Sequence, residues 1–216
     1  MAKTQLVLFD LDGTLADTAP DLANAANLQR ERHGLPPMPL AELRPYTSAG
    51  ARGMLGKAFG LTPDDARFSA LREEWFSLYE ANLCVETRLF AGMNELLIEL
   101  EQRKLPWGIV TNKSKRFTNK LIDRLGLLDR CAAIVSGDTT PHSKPHPAPL
   151  FFACETVGIP AINSVYVGDD LRDVEAGKAA GMMTVAAAYG YCGDSTPQSW
   201  QADHLIEHPL ELLDLI

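Results

Sequence analysis

Beyond Gly92 the chain alternates short, wholly apolar runs with stretches whose apolar residues recur every three or four positions. Residues 93–103 read as a helix with Leu96, Leu97 and Leu100 on one face, and 107–110 as a strand. Phe117, Leu121 and Ile122 mark a second helix that stops at Gly126, and 132–135 form the next strand. A helix over 150–157 ends at Gly158, a strand follows at 165–167, a helix over 174–180 ends at Gly181, and 183–187 is again a strand. Together with the run Leu6-Val7-Leu8-Phe9 near the start, this alternation predicts an α/β domain with a parallel sheet covered by helices on both faces. Ligands of such sheets bind at the carboxyl ends of the strands.

Residues 17–88 follow a different pattern. Thr18 is placed to cap a helix that begins near Pro20 and stops before Gly34-Leu35-Pro36-Pro37. Thr62-Pro63-Asp64-Asp65 reads as another helix start, followed at helical spacing by Phe68, Leu71, Trp75, Leu78 and Tyr79. No strong strand run interrupts this stretch, so it reads as a helical insertion after the first strand, with the aromatic stripe as its own core. The division expected is 1–16 with 89–216 for the sheet domain and 17–88 for the insertion.

The polar residues that end the apolar runs change the picture most. Asp10 and Asp12 close the first strand in Leu8-Phe9-Asp10-Leu11-Asp12-Gly13-Thr14. An Asp-Gly turn accounts for Asp12 and Gly13 but not for Asp10, and an unpaired buried carboxylate is costly. Two carboxylates at a strand end therefore point to a site that holds a cation and does chemistry. Ile109-Val110-Thr111-Asn112-Lys113 is a second run ending in polar groups, and Val165-Tyr166-Val167-Gly168-Asp169-Asp170-Leu171-Arg172-Asp173 a third, ending in acids. Lys144 stands in the proline-rich Lys144-Pro145-His146-Pro147. His142 and His146 flank it, but the prolines forbid a regular helix there, so both read as loop residues.

In this order, these four segments resemble the motifs of the haloacid dehalogenase superfamily of phosphohydrolases, and they span most of the chain. The resemblance implies a Rossmann-like parallel sheet with a helical cap at 17–88. It implies Asp10 as the nucleophile that forms an aspartyl-phosphate, and Asp12 as the acid for the leaving oxygen and then the base for water. An acid at position 12 separates the chain from the dehalogenase branch. Thr111 and the Asn112 backbone N–H would hold phosphoryl oxygens, although a Thr-Asn pair after a strand is also ordinary turn chemistry. Lys144 would balance charge on the intermediate and hold Asp10. The implied cofactor is Mg²⁺, bound by Asp10, the backbone carbonyl of Asp12, and Asp169. Asp173 would position a metal-bound water or Lys144, and Asp170 would be an extra acid near the metal.

Substrate choice is expected from the insertion. The small, flexible stretch Tyr46-Thr47-Ser48-Ala49-Gly50-Ala51-Arg52-Gly53 carries one cation, so Ser48, Gly50 and Arg52 are the substrate-binding candidates. Arg52 suits a substrate carboxylate. Arg44 and Lys57 are weaker candidates, and the alternative for Gly50 and Gly53 is helix packing or a turn. The general pattern is similar to phosphoglycolate phosphatases. Residues 107–113, 168–173, 189–191 and 208–212 look closer to N-acetylmuramic acid 6-phosphate phosphatases, and Asp170 stands where the glycolate enzymes more often have Ser. A β-phosphoglucomutase-like activity is more distant. The non-enzymatic rivals are a phospho-acceptor receiver and a degenerate binding subunit. The insertion and the late acids speak against the first, and intact Asp10, Asp12, Lys144 and Asp169 against the second.

Bulk properties limit the partners. A net charge of −8 over 216 residues argues against a general nucleic-acid binder and leaves room for local cationic pockets. No apolar stretch approaches the roughly 20 residues that span a bilayer, and the chain runs directly into its first strand. The expectation is a cytoplasmic enzyme, monomer or homodimer, acting on a small-molecule phosphate ester without nucleic acid or membrane. Cys84, Cys131, Cys154 and Cys192 form no CxxC pair and read as buried reduced thiols.

Overall fold

The computed structural model describes residues 4–193 and 195–216. In chain order they form β1 (Leu6–Phe9), β2 (Ala16–Asp17), α1 (Ala19–Arg32), α2 (Leu40–Leu43), α3 (Gly50–Phe59), α4 (Phe68–Ala81) and β3 (Arg88–Leu89). There follow α5 (Met93–Gln102), β4 (Trp107–Val110), α6 (Lys115–Arg124), β5 (Ala133–Val135), α7 (Ala148–Val157), β6 (Ser164–Gly168), α8 (Leu171–Ala180), β7 (Met183–Ala187) and β8 (His204–Ile206). The chain divides into two compact units, residues 1–16 with 89–216, and residues 17–88.

The larger unit is built on a six-stranded sheet in the order β5-β4-β1-β6-β7-β8, and every pairing in it is parallel. β1 lies near its middle, with Val7 opposite both Trp107 and Val165. All four residues of β1 and all four of β4 are buried, as expected of central strands with helices on both faces. Leu6, Leu8, Val110 and Tyr166 pack with Leu150, Ala153 and Cys154 of α7 and Ala176 and Ala180 of α8. Phe9 meets Trp107 edge to face, with ring centroids 6.5 Å apart. Because β1 ends at Phe9, β4 at Val110 and β6 at Gly168, the three polar segments leave the sheet at the same edge.

The smaller unit is helical, with α1 packed on α3 and α4. Phe68, Trp75, Leu78 and Tyr79 of α4 are buried, and Leu71 is half-buried. Trp75 stacks on Tyr79, and its indole N–H donates to the Leu22 carbonyl at 3.3 Å. Gln29 is fully buried and donates to the Leu71 carbonyl and to Glu74.

Four local expectations are corrected. Thr18 makes no side-chain cap for α1; Asp17 accepts from the Ala19 N–H instead, at 3.3 Å. The helix expected from Thr62-Pro63 starts only at Phe68, because the Asp65 carboxylate accepts from the Arg67 N–H and side chain and closes a turn first. Residues 46–53 are not a flexible loop: Arg44–Ala49 is a 3₁₀ helix that runs directly into α3. Of the four free cysteines only Cys154 is buried.

Candidate active site

Asp10 follows β1 directly, and its backbone N–H donates to the Val167 carbonyl, so the residue remains in sheet register. The side chain is almost completely buried. Burial pushes its carboxyl up to about 7, Lys144 pulls it back, and the neighbouring Asp173 and Asp12 add to the rise. The Lys144 ammonium lies 2.8 Å from Asp10 Oδ1 and 2.7 Å from Asp173 Oδ1. Burial alone would lower the lysine's pKa, but the two acids outweigh it and hold the group above its ordinary value, charged.

Two further features fix Lys144. Asn112 donates through Nδ2 to the Lys144 carbonyl and accepts from the Lys144 N–H, both at 3.0 Å. The Asn112 amide thus ties the proline-rich loop to the end of β4. Lys144 Nζ also donates to Tyr166 Oη at 2.8 Å and to the Val110 carbonyl at 3.1 Å. Thr111 is buried, and its hydroxyl accepts from the Lys113 N–H at 3.1 Å, which leaves its own hydrogen to donate.

Asp12 pairs with a different lysine. Its Oδ1 is 2.9 Å from Lys113 Nζ, and both side chains are largely buried. The backbone just after Asp12 turns at Gly13, whose φ is +89°, and a Cβ there would collide with the Asp169 carboxylate. Gly190 approaches Asp169 from another side, and a Cβ there would strike the Asp169 side chain and the Gly13 carbonyl.

Asp169 is fully buried. Its Oδ1 accepts from the Thr14 hydroxyl at 2.8 Å and its Oδ2 from the Tyr191 N–H at 2.9 Å. Burial and the charges of Asp10 and Asp173 raise its carboxyl well above the usual range. Carboxylate oxygens of Asp10, Asp169 and Asp173 lie within 4.8 Å of one another. Three carboxyl groups share the site with one ammonium, which contacts two of them, and all the donor atoms are hard oxygens. That composition fits a divalent cation of the Mg²⁺ class. Asp12 is not part of this carboxylate trio; a contribution from it to an ion would come from its backbone, as the resemblance implied.

Asp173 Oδ1 serves Lys144 and Tyr166, while Oδ2 accepts from the Asp170 N–H at 3.1 Å. Asp170 is not an extra acid of the cluster. It caps α8 by accepting from the Arg172 N–H, and it pairs with the Arg172 side chain at 2.7 Å. Burial raises its carboxyl, but those bonds more than reverse this and leave it below the usual range.

Ser48, Gly50 and Arg52 lie in the helical unit, where Arg52 is exposed in the first turn of α3. Gly50 has φ +57° at the junction of the 3₁₀ helix and α3, and a Cβ on Gly53 would strike the Tyr46 carbonyl, so both glycines have a local structural reason. Arg44 pairs with Asp17 through two bonds, and Lys57 pairs with Glu42 at 3.2 Å.

Sequence reasoning passed over Thr14, Lys113, Tyr166 and Tyr191 as participants. Lys113 and Tyr166 stood inside the motifs, and their position next to functional residues was the available signal. Tyr191 stood in the 189–191 segment noted for its resemblance, but its bond to Asp169 runs through the backbone, which side-chain patterns do not reveal.

A model of haloacid dehalogenase-like hydrolases matches residues 7–187. The chain belongs to this family. Relatives within it carry phosphatase names. A phosphoglycolate phosphatase of Xanthomonas campestris is 48% identical over 213 residues, 98% of this chain and 96% of the relative. An N-acetylmuramic acid 6-phosphate phosphatase of Pseudomonas aeruginosa is 42% identical over 215 residues, 99% of this chain and 95% of the relative. Among solved structures, a predicted phosphoglycolate phosphatase from Haemophilus somnus superposes with a TM-score of 0.88 at 26% identity, covering 100% of this chain and 99% of that one. The haloacid dehalogenase-like protein described here is accordingly a phosphatase with the parallel α/β fold of that family. Its acidic cluster matches the divalent metal that such phosphatases generally use.

Proposed function

We propose that this phosphatase hydrolyses a small, carboxylate-bearing phosphate monoester through an aspartyl-phosphate on Asp10, with 2-phosphoglycolate as the substrate. The observation that carries the chemistry is Lys144, buried with its ammonium 2.8 Å from Asp10 and 2.7 Å from Asp173. A carboxylate this deeply buried holds its charge only beside such a partner, and a nucleophile must be ionised.

In the first half-reaction Asp10 attacks phosphorus, the ester P–O bond breaks, and the leaving oxygen takes a proton from Asp12. The Thr111 hydroxyl and the Asn112 N–H would donate to phosphoryl oxygens, and Lys144 would balance charge beside Asp10. In the second, Asp12 takes a proton from water as the water oxygen attacks phosphorus. The bond from phosphorus to Asp10 breaks, releasing inorganic phosphate and the free carboxylate. A divalent cation held by Asp10, Asp169 and the Asp12 backbone carbonyl would supply positive charge to the phosphoryl oxygens. Asp173 and Asn112 keep Lys144 in place, and Thr14 and the Tyr191 N–H orient Asp169.

The 48% identity to the Xanthomonas campestris enzyme over nearly the whole chain supports the glycolate ester. A second reading, N-acetylmuramic acid 6-phosphate, is supported by the Pseudomonas aeruginosa relative and by the residues at 107–113 and 168–173 that resemble its class. Both esters carry a carboxylate, which Arg52 of the helical unit suits.

The test is phosphate release from the two esters side by side, with Mg²⁺ and with EDTA. A higher kcat/KM for 2-phosphoglycolate is expected, lost in EDTA and abolished by Asp10→Asn. Arg52→Ala is expected to weaken turnover of the carboxylate ester more than that of a neutral aryl phosphate. Preference for the sugar phosphate would select the second reading, and full activity of the Asp10 variant would reject the mechanism.

A further inference from the structure

We infer that Tyr166 is a positioning residue for the second half-reaction, holding Lys144 on Asp10 after Asp10 has lost its charge. This rests on the aspartyl-phosphate reading. Tyr166 lies in β6, beside β1, and its buried hydroxyl touches three groups. It accepts from Lys144 Nζ at 2.8 Å, donates to the Val110 carbonyl at 2.8 Å, and lies 3.1 Å from Asp173 Oδ1. A buried phenol needs one partner to offset its burial. The contact with the Val110 carbonyl would suffice, so the bond to the ammonium is additional.

Before reaction the ammonium sits between two carboxylates, Asp10 and Asp173, that attract it about equally. Once Asp10 is esterified by phosphorus it is no longer a carboxylate, whereas Asp173 keeps its full charge. The negative charge of the intermediate then lies on the non-bridging phosphoryl oxygens and on Asp173, and Coulomb attraction to either draws Lys144 off the acyl oxygen. Two neutral acceptors anchored in the strands that flank β1 oppose that drift, the Tyr166 hydroxyl of β6 and the Val110 carbonyl of β4. In the second half-reaction the Asp10 carboxylate is the leaving group and regains its charge. An ammonium kept beside it stabilises that developing charge without having to move back. Tyr166 therefore matters most for breakdown of the intermediate, and little for its formation, when both acids hold the lysine.

The experiment is Tyr166→Phe, which retains the ring that packs in the core, assayed with para-nitrophenyl phosphate in the steady state and by stopped flow. The expected result is a fall of about tenfold in kcat, the lower end for loss of an outer hydrogen-bond partner. KM should fall in proportion, leaving kcat/KM unchanged. A burst approaching one nitrophenolate per site should precede the slow phase, because the phosphorylated enzyme accumulates. The unchanged kcat/KM also reports that the variant is folded. A parallel fall of kcat and kcat/KM without a burst, or wild-type kinetics, would overturn the inference. Asp10→Asn keeps the two ideas apart. Turnover by that variant would refute the aspartyl-phosphate itself, whereas an inactive Asp10→Asn beside a wild-type-like Tyr166→Phe would refute only the role of Tyr166.

Discussion

Asp10 and Asp12 are two residues apart yet occupy unlike surroundings. Asp10 is buried against Lys144 and the acids of β6 and α8, whereas Asp12 faces Lys113. Directly after Asp12, Gly13 turns the chain with a positive φ where Asp169 leaves no room for a Cβ. Different surroundings suit different work, one group attacking and the other moving a proton. If Asp12 protonates the leaving oxygen, its importance must depend on how badly that oxygen needs a proton. Asp12→Asn is expected to lower kcat/KM for an alkyl phosphate by about 10²–10⁴-fold and to affect para-nitrophenyl phosphate, whose leaving group departs as a stable anion, much less. Equal losses on the two substrates, measured in one assay series, would remove Asp12 from the proton transfer.

At the scale of elements, the site depends on strands that end together. The far edge of the sheet has its own fastening, since Asp203 Oδ2 accepts from both the N–H and the hydroxyl of Thr184 at 2.8 Å, just before β8 pairs with β7. Partial burial raises the Asp203 carboxyl, but those two bonds and the charges of Lys178 and His204 outweigh it and set it below the ordinary value. A carboxyl depressed by folding stabilises the fold fully above its unfolded pKa and loses that contribution as pH falls through the lower folded value. The difference in Tm between wild type and Asp203→Ala should therefore be constant from neutral pH down to about 5 and shrink below about 4. A gap that persists unchanged into strong acid would show that the carboxylate charge is not what fastens β8. The strands and core helices themselves were legible from periodicity, because central parallel strands must be apolar on both faces. Boundaries were missed where a side chain intervened locally, as Asp65 does before α4 and Asp170 at the start of α8.

For the whole molecule, electrostatics set the strongest demand. Among the described residues Asp10, Asp169 and Asp173 converge, with one lysine held by two of them, in a chain whose net charge is already −8. A divalent cation that binds there stabilises the folded state by mass action, about 2.7 kcal/mol at a hundredfold excess over Kd. For a chain of this size that is several degrees in Tm. Mg²⁺ should raise the Tm relative to EDTA, and Asp169→Asn should abolish most of the increment. A Tm indifferent to Mg²⁺ would argue against the acidic trio as its site. No helix among the described residues is long and apolar enough to cross a membrane.

The sequence by itself determined the layered α/β architecture and the identity of the acids and the lysine. Apolar periodicity fixes which faces are buried, and a carboxylate at the end of a buried strand is too costly to be incidental. Only the tertiary structure decided how those groups are partnered. Asp170 proved to be a helix cap and Asn112 a clamp on the Lys144 loop, while Tyr166 joined the lysine's cage and the Tyr191 backbone joined Asp169. The Asp170 cap is local, reaching Arg172 two positions on, but the other three contacts join residues 22 to 32 positions apart in the chain. No local pattern encodes them, because they arise when parallel strands bring distant loops to one edge of the sheet.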